Sequence, residues 1–394
     1  MTTPPAARPV ASGNTAMLLA SQRHLFDVPD EVVYVNTANL SPLLHSVRDA
    51  GRRGLDVRGR PWTITPQDWF RDVEALRDRA ARLLQTSAAH VALVPATSYG
   101  LAIAARNLPL DPGDRVLVLA GEYPSNYYTW QRATQQSGAE LVVISREPGQ
   151  DWASAILDKL DDQTAVVAVP NVHWTDGALV DLDAIAPRVR DAGAALVIDA
   201  SQSLGAMQID LSSLQPDFVV AVGYKWLLGP FSVGYLYVAG QHLNGRPLEE
   251  NWILRDGSED FAALVDYTDQ YLPGARRYDV GQRTNFGLVP MAIAALDQLL
   301  AWGVPNIAHT LQAVTDQITD RAANLGLPAP PRHTRGPHML GLPIPRGTGT
   351  RLLNVLHDAG VSASVRGSAL RLSPHLHTTD DDIDRLTTAL GAAL

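Results

Sequence analysis

Short apolar runs alternate with longer amphipathic stretches through the middle of the chain. The runs at 91–94, 115–119, 140–144, 165–169, 195–198, 218–222 and 233–238 are too short for helices. They end in glycine, proline or polar clusters, the pattern of buried strands. Between them, apolar residues at helical spacing predict helices over 99–107, 125–137, 152–160 and 182–192. Upstream, a strand at 32–35 leads into the polar turn 36–42, and Ser41-Pro42 reads as the cap and first turn of a helix reaching about residue 55. Another helix is predicted over 67–84. This alternation builds a mostly parallel sheet with helices on both faces, an α/β fold.

Past residue 241 the pattern changes. Residues 241–277 mix polar and aromatic side chains without a period, and two helices follow over 289–302 and 307–324. The proline-dense 325–332 is the clearest boundary. Beyond it the pattern predicts a small α+β unit: strand 339–343, helix 351–359, strands 362–366 and 369–372, and helix 380–390. Thr379 suits the N-cap of the last helix, with Asp380, Asp381 and Asp382 complementing its dipole.

Composition narrows the function. A formal net charge of −9 argues against nucleic acid as a partner. The absence of cysteine excludes disulfides, thiolate metal sites and a cysteine nucleophile. The proline-rich start (residues 1–17) lacks a signal-peptide core and reads as a flexible arm, and no run is long enough to span a bilayer, so a cytoplasmic protein without membrane contact is expected.

Of the 32 basic residues only two are lysines, Lys159 and Lys225. Lys159 sits in a polar stretch and reads as a solvated helix face. Lys225, between Tyr224 and Trp226 just past a buried strand, is placed where desolvation lowers an amine's pKa, as Schiff-base chemistry needs. Asp199 ends the strand at 195–198, and residues past carboxyl strand ends face the ligand crevice of an open α/β sheet. Asp199 alone is also compatible with a simple helix cap. Ala96-Thr97-Ser98, at a strand-to-helix turn, is either a plain N-cap or an anion site, and no dinucleotide-binding glycine fingerprint accompanies it.

Taken together, Asp199-Ala-Ser-Gln202, Gly223-Tyr-Lys-Trp-Leu-Leu-Gly-Pro230 and Gly234-Tyr-Leu-Tyr-Val238 resemble the signature of the class V aminotransferases, a pyridoxal-phosphate group of fold type I. Val33–Asn36, Gly121-Glu-Tyr-Pro-Ser-Asn126, Asp279–Phe286 and Leu370-Arg-Leu-Ser-Pro-His375 are similar to further family segments, in order, across nearly the whole chain. The resemblance implies a mostly parallel central sheet plus a small C-terminal α+β domain. It divides the chain into an N-terminal arm (1–30), a segment packing on the small domain (31–66), a large cofactor-binding domain (67–324) and the small domain (325–394).

The resemblance also implies roles. Lys225 would carry the cofactor and shuttle the proton at the substrate Cα. Asp199 would face the pyridine nitrogen, Gln202 the phenolate oxygen, and Tyr123 would stack on the ring. Ala96, Thr97, Tyr224 and, from a partner subunit, Gln282 would hold the phosphate. Arg371 would bind the substrate α-carboxylate, with Asn39 a further substrate contact. His173 would act as an acid toward a leaving group or donate to the phenolate oxygen, or be an ordinary loop histidine. Arg276, Arg277 and Arg283 could serve a second anionic group or only the surface.

The family's sulfur-transferring members store persulfide on cysteine, which this chain lacks. The Gly223-Tyr-Lys-Trp226 and Gly281-Gln-Arg-Thr-Asn-Phe286 variants resemble the family's lyase-like branch, which implies a homodimeric C–S lyase acting by β-elimination on an S-substituted cysteine, with natural-product tailoring as a setting for it. Transamination, epimerisation and decarboxylation-coupled oxidative deamination are the alternatives on the same scaffold. A non-catalytic pyridoxal-phosphate-binding regulator is the alternative outside enzymes.

Overall fold

A computed structural model describes residues 16–147 and 149–393. The flexible arm expected at the start therefore lies, for residues 1–15, outside the described residues. From there the chain is tied down: Leu19 N–H donates to Thr310 Oγ1 and Gln22 N–H to the Leu376 carbonyl. The next elements are β1 (Val33–Tyr34) and helices α1 (His45–Arg58) and α2 (Asp68–Leu83). Helix α1 starts later than Ser41-Pro42 suggests. The Ser41 hydroxyl donates to the Tyr224 carbonyl at 3.1 Å instead of capping a helix, a tertiary use of a residue whose local signal favours a cap.

The central sheet contains β2 (Val91–Val94), β3 (Arg115–Leu119), β4 (Glu140–Ile144), β5 (Thr164–Pro170), β6 (Ala195–Asp199), β7 (Phe218–Val222) and β8 (Gly234–Val238). Their spatial order is β2-β8-β7-β6-β5-β3-β4. Only β8 runs against its neighbours. Alternate residues feed two cores: Leu117, Leu119, Val167 and Val169 face one cluster, Val116, Val118, Val166 and Ala168 the other. Burial on both faces is why these strands read as continuous apolar runs.

The connections include α3 (Thr97–Asn107), α4 (Pro124–Ser137), α5 (Trp152–Leu157), α6 (Leu182–Asp191) and the short α7 (Leu211–Leu214). Helix α3 lies so close to β7 that a Cβ on Gly100 would sit 2.6 Å from Val220 Cγ2; Gly100 thus serves packing. Helices α8 (Leu288–Trp302) and α9 (Val304–Asn324) lead to the C-terminal part. No single helix among the described residues is long and apolar enough to cross a membrane.

The last elements are β9 (Leu340–Pro343), α10 (Gly349–Asp358), β10 (Val361–Ser362), β11 (Ser364–Arg366), β12 (Ala369–Leu372) and α11 (Asp380–Ala393). The single strand expected over 362–366 is divided because its halves change partner: β10 pairs in parallel with β1, β11 antiparallel with β12. Their apolar residues, with Val33, Val35, Ile318 and Ala322, form a separate core. Thr379 caps α11 as expected, its hydroxyl accepting from Asp382 N–H at 3.1 Å while Asp382 accepts from Thr379 N–H at 2.9 Å.

Candidate active site

Strand ends β5, β6 and β7 and the turns after β2 and β3 meet at the carboxyl edge of the sheet. Asp199, the last residue of β6, pairs with Pro170 and Val220, which fixes its direction. Its carboxylate accepts from Ser201 N–H at 2.9 Å. Burial raises its pKa, opposed by the Ser201 hydrogen bonds and the nearby Lys225 charge.

Lys225 lies three residues past β7 in a tight turn, where Gly223 N–H donates to the Val233 carbonyl at 2.7 Å and Leu228 N–H to the Lys225 carbonyl at 3.1 Å. Gly205, at φ +99°, passes beneath; a Cβ there would meet the Trp226 carbonyl oxygen at 2.5 Å. The amine is 5.2 Å from the Tyr123 ring centroid and 5.8 Å from that of Tyr224. Lys225 is 6 % exposed. Burial lowers its pKa to about 8; Asp199 opposes this, and Arg371 and Arg366 reinforce it. Lys159, by contrast, is exposed.

Lys225 shares a narrow cleft with Glu122, Tyr123, Trp174, Asp199, Ser201 and Gln202. Ala96 and Thr97 open α3, where the first N–H groups lack intrahelical acceptors; the Thr97 hydroxyl is 2.8 Å from that of Ser201. The Gln202 amide oxygen accepts from Trp226 Nε1 at 3.0 Å and its nitrogen donates to the Ala38 carbonyl at 3.1 Å. Tyr224 packs on Phe231 at 4.5 Å, and burial raises its hydroxyl pKa to about 12. Arg371, 1 % exposed, donates from Nη1 to the Trp174 carbonyl at 2.7 Å and from Nε to Ser364 Oγ at 3.2 Å.

Three expected residues stand apart from this set. His173 does not line the cleft; its ring stacks on Trp152 at 5.3 Å and its Nδ1 is 2.7 Å from Thr175 Oγ1. Asn39 and Gln282 are exposed. Arg276, Arg277 and Arg283 are already engaged, by Glu74, by the Gly245 carbonyl with Asn244, and by Asp279 respectively.

Two residues that sequence reasoning passed over belong to the site. Glu122 is buried, with Oε1 accepting from Tyr123 N–H at 2.6 Å and Oε2 without a partner among the described residues. Burial raises its pKa to about 8, and Asp199 adds to the rise. Arg366 lies over the Trp174 ring, 5.9 Å from its centroid. The signal for Glu122 was a carboxylate inside Gly121-Glu-Tyr-Pro-Ser-Asn126, beside the residue chosen for stacking. The signal for Arg366 was its place across the Gly367-Ser368 turn from the strand bearing Arg371.

Among the described residues, Lys225 and Asp199 form no direct ion pair. A buried amine and a buried carboxylate thus border a common space without meeting. Such a donor set fits a flat cationic heterocycle bearing an aldehyde and an anion: the amine for the aldehyde, the carboxylate for the ring nitrogen, Tyr123 for its face. The start of α3, with Thr97, would take a phosphate. The fold and site are those of a fold-type-I pyridoxal-phosphate enzyme.

The chain belongs to the class V aminotransferase family, whose model matches residues 66–386, and its cofactor is pyridoxal 5′-phosphate. It is 26 % identical to isopenicillin N epimerase of Streptomyces clavuligerus, over 92 % of this chain and 94 % of that protein. It is 30 % identical to a probable cysteine desulfurase of Methanothermobacter thermautotrophicus, over 63 % of this chain and 60 % of that one. In fold it is similar to cysteine desulfurase from Thermococcus onnurineus, with TM-score 0.82 at 18 % identity, covering 95 % of this chain and 98 % of that one. It is likewise similar to the cystine C–S lyase C-DES, with TM-score 0.83 at 18 % identity over 91 % and 97 %.

Proposed function

We propose that this protein is a C–S lyase that converts an S-substituted cysteine and water into pyruvate, ammonia and a thiol. The observation that carries the reading is the buried, pKa-lowered Lys225 amine in a chain with no cysteine. Such a site can move the Cα proton, but no side chain of this sequence can store sulfur as persulfide.

Bound pyridoxal phosphate supplies an electron sink that makes substituents at Cα and Cβ labile. Asp199 keeps the ring nitrogen protonated. Thr97, the start of α3, Tyr224 and, across a homodimer interface, Gln282 hold the phosphate. Gln202 serves the phenolate edge through its remaining N–H. Arg371 orients the substrate α-carboxylate with its free N–H groups, which aligns the Cα–H bond toward Lys225 Nζ. The amine removes that proton, and the bond from Cβ to sulfur breaks with the electron pair leaving on sulfur. Glu122, protonated at neutral pH, keeps a second proton within the cleft.

The test is pyruvate release from S-alkyl cysteines by purified holoenzyme, without any added keto acid. Pyruvate and thiol in equal amounts support the lyase; dependence on a keto acid overturns it in favour of transamination. Similarity to isopenicillin N epimerase along nearly the whole chain favours one second reading, inversion at Cα. In that case Cα exchanges with deuterated solvent and configuration changes while no pyruvate appears. Light scattering tests the homodimer, and a fully active monomer would exclude it.

A further inference from the structure

Arg366 and Arg371 belong to one hairpin, closed by Gly367-Ser368 with Gly367 at φ +59°. Its register pairs Arg366 with Ala369 and Ser364 with Arg371. Directly opposed residues share a face, and so do residues two apart, so both arginines project from the same face. They are diagonal neighbours, roughly 7–8 Å apart at the backbone.

Trp174 lines the cleft and touches both guanidiniums. Arg371 Nη1 donates to its carbonyl at 2.7 Å, and Arg366 Cζ is 5.9 Å from its ring centroid. The Trp174 ring meets Tyr123 edge-on at 5.6 Å, and its Nε1 donates to the Gly121 carbonyl at 2.7 Å. Trp174 is thus fixed at three points and forms a wall leading from the Lys225 cleft toward Arg366.

The charges there do not balance. Arg366 Nη1 donates to the Val365 carbonyl at 2.9 Å. Among the described residues, neither Arg366 nor Arg371 has a carboxylate within 4.0 Å, whereas Arg276 and Arg283 each do. Lys225 is a third cation in the same field, facing Asp199 on the other side. A substrate α-carboxylate on Arg371 leaves one guanidinium uncompensated, over an aromatic face, with its Nε and Nη2 free of protein partners among the described residues.

We propose that Arg366 binds a second anion on the substrate, a carboxylate at the far end of the side chain, with the Trp174 ring lining the atoms that lead to it. This rests on the reading of Arg371 as the α-carboxylate site. Joined to the lyase reading, it specifies a cysteine S-conjugate whose sulfur substituent ends in a carboxylate.

The test compares S-carboxymethylcysteine with its neutral isostere S-carbamoylmethylcysteine on the holoenzyme. Binding is read by cofactor absorbance and turnover by pyruvate. The wild type is expected to bind the acid about tenfold more tightly than the amide, the scale of one charge-assisted contact. R366Q should bring that ratio near one and leave the amide's affinity within about threefold, whereas R371Q weakens both ligands alike. R366K, which keeps the charge, should retain part of the preference and serves if R366Q does not fold. A wild-type ratio near one, or equal weakening of both ligands by R366Q, overturns the subsite. Preferential binding of the acid without pyruvate leaves the subsite standing and defeats the lyase reading alone.

Discussion

Two clusters of buried charge in this molecule look alike by residue type and differ in how they are balanced. In the first, Arg77 and Asp279 are both fully buried and joined by two hydrogen bonds of 3.0 and 2.7 Å. Arg283 also contacts Asp279, and Glu74 takes Arg77 and Arg276. Asp279 accepts from Leu93 N–H at 2.7 Å as well, so the knot fastens α2 to β2 and to the segment bearing Gln282. In the second cluster Lys225, Arg366 and Arg371 face Asp199 and Glu122 without one direct ion pair among the described residues. Burial would raise the pKa of Asp279, yet Arg77 and Arg283 outweigh it and the net shift is downward. At Asp199 and Glu122 burial wins. Matched buried charge holds structure; unmatched buried charge is maintained against its own repulsion and marks the site that receives a ligand.

The largest effects should separate the two clusters cleanly. Lys225→Ala is expected to lower turnover by at least about a thousandfold, through loss of both the cofactor anchor and the Cα base. Its melting temperature should hold or rise, since an unmatched buried amine is removed. Borohydride reduction and peptide mapping check the anchor, and an adduct persisting in this variant would break the assignment. Asp279→Ala should do the reverse. Leaving Arg283 buried without its carboxylate, and Arg77 with Glu74 alone, costs about 3–5 kcal/mol, read by denaturant titration. The fraction that remains folded should keep a wild-type Michaelis constant.

Next in size is Arg371→Gln, expected to raise KM about 10- to 100-fold for every amino-acid substrate, as loss of a bidentate carboxylate contact does. An unchanged KM would move Arg371 into the structural cluster, as a brace for Trp174 and Ser364.

Local sequence carried most of the scaffold, and of the residues that line the cleft it pointed to Lys225 and Asp199. Strands buried on both faces have no polar alternation to obscure them, so the runs at 115–119 and 218–222 matched the observed strands residue for residue. Asp199 and Lys225 were legible because each stands at the end of such a run or within three residues of it. The start of α1 was not, because Ser41 spends its hydroxyl on Tyr224, a partner 183 residues away. After Asp199 the four-residue α7 forms, and the small residues before it pack on Trp226 and Asn171 rather than along a helical stripe. Glu122 was hidden for a related reason. A carboxylate beside glycine and tyrosine in a turn reads as solvated until the fold buries it, and nothing local announces that Asp199 will be its neighbour. Arg366 escaped because its meaning lies in cross-strand register with Arg371, although the Gly367-Ser368 turn fixes that register.

The smallest effect concerns Glu122 and has a sign that the matched cluster cannot imitate. In the cofactor-free protein its pKa is raised from 4.5 to about 8, so the folded state keeps a proton that the unfolded chain releases above about pH 4.5. Between those values the unfolded state binds fewer protons, and stability falls as pH rises. Glu122→Gln cannot ionise and should flatten this slope. Measured against wild type, its advantage at pH 8 over that at pH 5 should be about 2 kcal/mol, discounted from the full linkage value because water enters a cleft on demand. Asp199 tilts the wild-type curve in the same direction, and Lys225, lowered from 10.5 to about 8, makes stability rise with pH above that. Both remain in the variant, so the difference between the two proteins reports Glu122 together with its coupling to Asp199. A difference that does not change between pH 5 and 8 would mean that Glu122 is ionised in the folded protein. It would then belong with the matched charges.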